Sequence, residues 1–96
     1  MFIISLTYQA PISTVEQHME EHLAFLNKYY QKEKFICSGR KNPRTGGVIL
    51  VYNCTIDEVS ELIKEDPFYI HKIALYDIIE FIPTKYNAHF EYFAMS

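Results

Sequence analysis

Alternating apolar and polar positions give way, within fifteen residues, to an apolar spacing of three and four. Phe2-Ile3-Ile4-Ser5-Leu6-Thr7-Tyr8 is rich in β-branched and aromatic side chains and partly alternates, which predicts a first strand that Pro11 ends. Ser13 or Thr14 then stands three residues before Glu16 or Gln17, the spacing of a capping box. Val15, Met19, Leu26 and Tyr29, flanked by Leu23 and Tyr30, recur with helical period and predict one first helix. Phe35 to Gly39 reads as a second strand, and Asn42 to Gly47, with its Asn, Pro and two glycines, as a turn. Val48 to Tyr52 is a third strand, apolar throughout. Thr55 or Asp57 opens a second helix carrying Val59, Leu62 and Ile63. Pro67 ends it or begins a new short turn, because proline lacks an N–H and disfavours helix at Asp66. Ile73 to Ile82 is the last strand.

The order β-α-β-β-α-β is that of the α+β ferredoxin-like fold, an antiparallel sheet with two helices on one face. No repeat or linker divides the chain, so residues 1–96 are expected to form one domain. A sheet with one wet face should alternate, and this one does not. In the last strand Ile79 and Phe81 point one way while Tyr76, Ile78 and Ile82 point the other. The composition agrees, with 49% hydrophobic residues, eight tyrosines and seven phenylalanines in a chain of 96. Apolar surface of that extent predicts a homodimer packed sheet on sheet, the dimeric α+β barrel.

A net charge of −3 provides no basic footprint for nucleic acid; only Arg40, Lys41 and Arg44 cluster, in a loop. Cys37 and Cys54 fall in strand-like runs without metal-type spacing and are expected to be reduced, buried thiols. The first ten residues lack a basic flank, and no apolar run approaches the ~18 residues that span a bilayer. The expectation is a soluble cytoplasmic protein with no membrane partner.

At ~100° per residue, His22 lies near the centre of the first helix's apolar stripe and points toward the sheet. On periodicity alone it is a core histidine whose nitrogens are satisfied by hydrogen bonds. Asp66 alone is a turn or cap residue. Together they are the minimal parts of a proton-transfer pair, since a carboxylate orients an imidazole and selects its tautomer. His18-Met19-Glu20-Glu21-His22 matches the H-x-x-E-H pattern of inverted zinc peptidases. Such enzymes need a third ligand from another helix and a large cleft, which a chain of this length does not offer, and a simpler site on His18 and His22 also lacks a third ligand. No metal or cofactor is expected.

His22 on the first helical pattern, Ser38-Gly39-Arg40-Lys41-Asn42-Pro43 after the second strand, and Asp66-Pro67-Phe68 after the second helix resemble, in this order, the YciI-like family of small bacterial proteins. The stretch before Pro43 is one residue longer than in the shortest family versions. The resemblance implies His22 and Asp66 as a catalytic pair and the Ser38-Gly39 strand end as part of a substrate site. There Ser38 would donate to a substrate oxygen, Gly39 would permit close approach, and Arg40 would hold a carboxylate bidentately. Tyr8 or Phe68 would supply an apolar wall to a pocket between the first helix and the sheet. Relatives with the same fold include muconolactone isomerase and a dehydrochlorinase of chlorinated hydroxyquinols. The implied activity is therefore proton transfer on a small, aromatic or lactone-like molecule. Two alternatives stand beside it: a small-molecule-binding module without turnover, and haem binding, for which His71 and His89 are the free histidines.

Overall fold

A computed structural model describes residues 1–96. The chain runs β1 (Phe2–Tyr8), α1 (Ile12–Gln17), α2 (Met19–Gln31), β2 (Phe35–Arg40), β3 (Gly46–Val51), α3 (Ile56–Ile63), α4 (Pro67–Ile70), β4 (Ala74–Glu80), a short 3₁₀ turn at Ala88–Phe90 and α5 (Glu91–Ala94). The four strands form one antiparallel sheet in the order β2-β3-β1-β4, the ferredoxin-like arrangement. β1 is central, so Ile4 sits between Ile49 of β3 and Ile78 of β4. Its even-numbered residues Phe2, Ile4 and Leu6 are buried under the helices, where they meet Val15, Phe25, Val59, Leu62 and Phe68 in one core. The odd-numbered residues take the opposite face. That explains the unbroken apolar run of the third strand: Ile49 and Val51 turn inward, while Val48 and Leu50 turn to the far side. On that far face Val48, Leu75 and Ile79 are exposed.

Several element boundaries differ from the sequence expectation. The capping box at Ser13 or Thr14 is not used. Pro11, in extended conformation, occupies the N-cap position, and its carbonyl already accepts from the N–H groups of Thr14 and Val15. The single first helix is two, broken at His18. Gly46 and Gly47 belong to β3 and not to the turn, pairing with Thr7 and Leu6 of β1. A Cβ on Gly46 would stand 1.8 Å from the carbonyl oxygen of Leu6, so this glycine lets the two strands close. Further along, Thr55 caps α3 with a full capping box: its Oγ1 accepts from the Glu58 N–H at 3.2 Å, and Glu58 Oε1 accepts from the Thr55 N–H at 3.4 Å. Pro67 starts the separate short helix α4, where its missing N–H costs nothing.

The expectation of two buried thiols is wrong. Cys37 is exposed and Cys54 half-buried, both free, because Cys37 lies opposite Leu50 on the face away from the helices. The C-terminal aromatics fold back on their own chain, where Phe93 meets the ring of Tyr52 edge-on at 5.0 Å. No helix is long and apolar enough to cross a membrane.

Candidate functional site

α4 is only one turn long, and its cap organises the site. Asp66, fully buried, is the N-cap, and its Oδ1 accepts from the Phe68 N–H at 3.0 Å. The same oxygen lies 2.8 Å from Nδ1 of His22, in the first turn of α2. Its other oxygen accepts from the hydroxyl of Tyr76 at 2.5 Å. A buried carboxylate needs such donors, because stripped of water it must be paired or hydrogen-bonded. As an acceptor bound to a backbone N–H and a phenol, the Asp66 carboxylate obliges His22 Nδ1 to donate. In the neutral imidazole the lone pair is then on Nε2.

Tyr76 is a member of this network that the sequence reading placed only on a strand face. It lies opposite Leu6 on the helix side of β4. Burial first, and then the charge and hydrogen bond of Asp66, push its hydroxyl far above the ordinary tyrosine range, so it remains a donor at neutral pH. Period-two alternation was the only signal for it, since that alternation puts Tyr76 under the helices, where a phenol must find a partner.

Phe68 is buried, and its ring lies flat on His22 with centroids 4.0 Å apart; Tyr8 meets Phe68 edge-on at 6.0 Å. His22 keeps 12% of its side-chain surface open. That surface faces a cavity of about 190 Å³ between α2 and the sheet, walled by Tyr8, Leu23, Ser38, Arg40 and Phe68 among others. His22, Ser38, Gly39, Arg40, Tyr8 and Phe68 thus share one cavity, while Asp66 sits behind His22. Met19, Leu23 and Leu26 complete the apolar wall.

The structure adds detail at the β2 end. The Ser38 hydroxyl is already bonded to the Tyr30 hydroxyl at 2.7 Å, so a ligand would meet a pair of hydroxyls. Gly39 pairs with Val48, and a Cβ there would meet nothing within 4 Å; the glycine that close approach demands is Gly46. Arg40 is exposed at the cavity. His18 and His22 do not converge as a metal pair: His18 stacks on His71, whereas His22 turns to Asp66. A haem macrocycle is far larger than the cavity, and neither His71 nor His89 lines it.

The YCII-related domain family matches residues 1–82 of the chain. No curated protein sequence matches significantly. Among solved structures, the chain is similar to 5-chloro-2-hydroxyhydroquinone dehydrochlorinase (TftG) from Burkholderia phenoliruptrix AC1100, in complex with 2,5-dihydroxybenzoquinone. That likeness has a TM-score of 0.71 at 19% identity and covers 93% of this chain and 98% of the other. At this identity it speaks for the fold.

Proposed function

Because the chain belongs to the YCII-related domain family, we propose that it is an enzyme of proton-transfer chemistry, of lyase, isomerase or dehydrochlorinase type. Residues 1–96 act as one domain, and the substrate is a single-ring aromatic or lactone-like molecule. The observation that carries this reading is the placement of His22: Nδ1 is tied to a buried carboxylate, and the ring borders a cavity. A histidine held in one tautomer at a cavity wall takes a proton on Nε2 and can return it. His22 is the acid–base group and Asp66 the residue that orients it. Phe68 and Tyr8 pack against the substrate ring, and Arg40 with the Ser38–Tyr30 hydroxyl pair meets its oxygens.

Size supports a small substrate. The cavity, about 190 Å³, lies below the roughly 300–1,000 Å³ of drug-sized sites. The neighbouring dehydrochlorinase was solved with a dihydroxybenzoquinone, a single oxygenated ring. Dehydrochlorination removes one proton and one chloride, and the proton needs only a base such as His22. We further propose that two copies pack sheet on sheet, covering the apolar face that carries Val48, Leu75 and Ile79.

The test is titration with 2,5-dihydroxybenzoquinone followed by the NMR signals of His22, combined with a chloride-release assay on chlorinated hydroxyhydroquinones. Binding that shifts His22, with turnover abolished in His22→Ala, supports the enzyme. Binding without turnover of any ring compound in a screen favours the module. Binding unchanged in both His22→Ala and Asp66→Asn places the pocket elsewhere.

A further inference from the structure

His18 and His22 stand one helical turn apart, yet their side chains serve different neighbours. His18 occupies the joint between α1 and α2, with φ −109° and ψ 7°, outside the helical range. Its ring lies against that of His71, the residue that ends α4, with centroids 4.3 Å apart and planes inclined by 28°. Glu21, in the first turn of α2, brings Oε2 to 4.0 Å from His18 Nδ1. One potential ligand atom from each of these three residues lies within 4.8 Å of the other two.

His18 Nδ1 is closed off from water and has no hydrogen-bond partner. Buried polar atoms are rarely left so, and a bound metal ion is one partner that would satisfy this nitrogen. We propose that His18, Glu21 and His71 bind a divalent transition-metal ion of the zinc class, with water completing its coordination.

The donor set suits such an ion. Two imidazoles and one carboxylate are zinc ligands of ordinary type, and three protein ligands with one open position is a common zinc arrangement. Donors on a tetrahedral zinc stand roughly 3.3 Å apart, as bond lengths near 2.0–2.1 Å require. The side chains of Glu21 and His71, both exposed, would have to rotate to close the present spacing to that value. His71 must also swing out of the stack, so that its lone pair and that of His18 point at one centre. The His18 ring already lies against the end of α4 through its contact with His71.

The ion would tie the α1–α2 joint to the end of α4. Asp66 and Phe68, which hold His22, lie at the start of that same short helix. Metal binding would therefore brace the support of His22 without touching the cavity.

The experiment uses the full chain after EDTA treatment, titrated with Zn²⁺ by calorimetry and with Co²⁺ by visible absorption. One ion per chain is expected, with a rise in Tm on adding Zn²⁺ through preferential binding to the folded state. His71→Ala and Glu21→Gln alter exposed side chains and should keep the fold, which circular dichroism verifies. His71→Ala should weaken binding at least about tenfold and Glu21→Gln less, while His22→Ala leaves affinity within about twofold. Absence of binding in the wild type overturns the proposal. So does binding that survives His71→Ala, and so does binding lost in His22→Ala, which would put the ion at His22 and Asp66.

Discussion

The ring of Phe68 lies on the imidazole of His22 with planes only 6° from parallel. This contact and the hydrogen bond to Asp66 restrain the imidazole in different senses. Asp66 fixes its rotation within the ring plane, by the line from Nδ1 to Oδ1. Phe68 fixes its tilt, because a flat apolar face resists rotation out of that plane. Both restraints come from one turn of chain, since the Asp66 carboxylate also caps the N–H of Phe68. Pro67 between them pre-sets the backbone for that turn. The tripeptide is thus a compact device for holding a histidine at a cavity wall.

Asp66→Asn should therefore damage more than chemistry. The carboxylate accepts from His22, Phe68 and Tyr76, and an amide must turn its NH₂ toward one of those donors. Leaving buried donors unpaired, together with the lost charge-assisted bonds, should cost about 2–3 kcal/mol. For a chain of this size that lowers Tm by roughly 10 °C or more, measurable by thermal denaturation. A loss below about 0.5 kcal/mol would mean that the three contacts are not formed together in solution.

Tyr76 predicts an alkaline limb of the stability curve. Burial and Asp66 raise its folded pKa above the ordinary value of about 10. A raised folded pKa means stability that is complete below pH 10 and declines as pH climbs above it toward the folded value. Tyr29, raised by burial and by Glu65, adds to the same limb. Urea denaturation across that pH range should show this decline for the wild type and a shallower one for Tyr76→Phe. At neutral pH the same variant should lose about 1–2 kcal/mol, because the second oxygen of Asp66 has no other donor. Equal slopes for the two proteins would exclude Tyr76 as the group responsible.

Where local chemistry decides a structure, the sequence was readable. Thr55 and Glu58 cap α3 because nothing upstream competes for those N–H groups. The same pattern at Ser13 or Thr14 failed because Pro11 is the N-cap, which places both residues inside the first turn of α1. Strand alternation sorted Tyr76 and Ile78 from Ile79, and hence the two faces of the sheet. It could not say which helical residue would stand over Tyr76, since that depends on how α4 returns across the sheet. Residues 38–40, 66 and 68 were legible as site candidates only through the ordered resemblance of short motifs. The meeting of His18 with His71, 53 positions apart, left no trace in local pattern.

The glycines of the β2–β3 hairpin should respond unequally. Gly46→Ala places a methyl 1.8 Å from the Leu6 carbonyl oxygen, which rigid backbone on both sides cannot relieve. Separating β1 from β3 should cost at least about 3 kcal/mol, seen as a collapse in Tm or in folded yield. Gly39→Ala meets open space and should stay within about 0.5 kcal/mol of the wild type. Since Gly39 borders the cavity, that variant also separates ligand effects from stability effects. Similar losses in both variants would show that β3 pairs with β1 in another register.

The proposed dimer makes the most exposed prediction. Ile3 pairs with Ile79 and with Leu50, and Leu50 pairs with Cys37, so these side chains share the sheet face away from the helices. Leu75 is 59% and Ile79 53% exposed on that face, an apolar strip that water alone leaves uncovered. Light scattering at micromolar concentration should give about twice the chain mass of 11.3 kDa. Ile79→Asp puts a charge in the middle of the strip and should yield a monomer with its own core intact. Cys37 supplies an independent reading, because an exposed free thiol on the same face would be shielded by a partner sheet. Its reaction with a thiol reagent should be slow in the wild type and at least about tenfold faster in Ile79→Asp, as expected when a covered cysteine becomes accessible. A wild-type monomer with a fast-reacting Cys37 would leave the apolar face without the partner proposed for it.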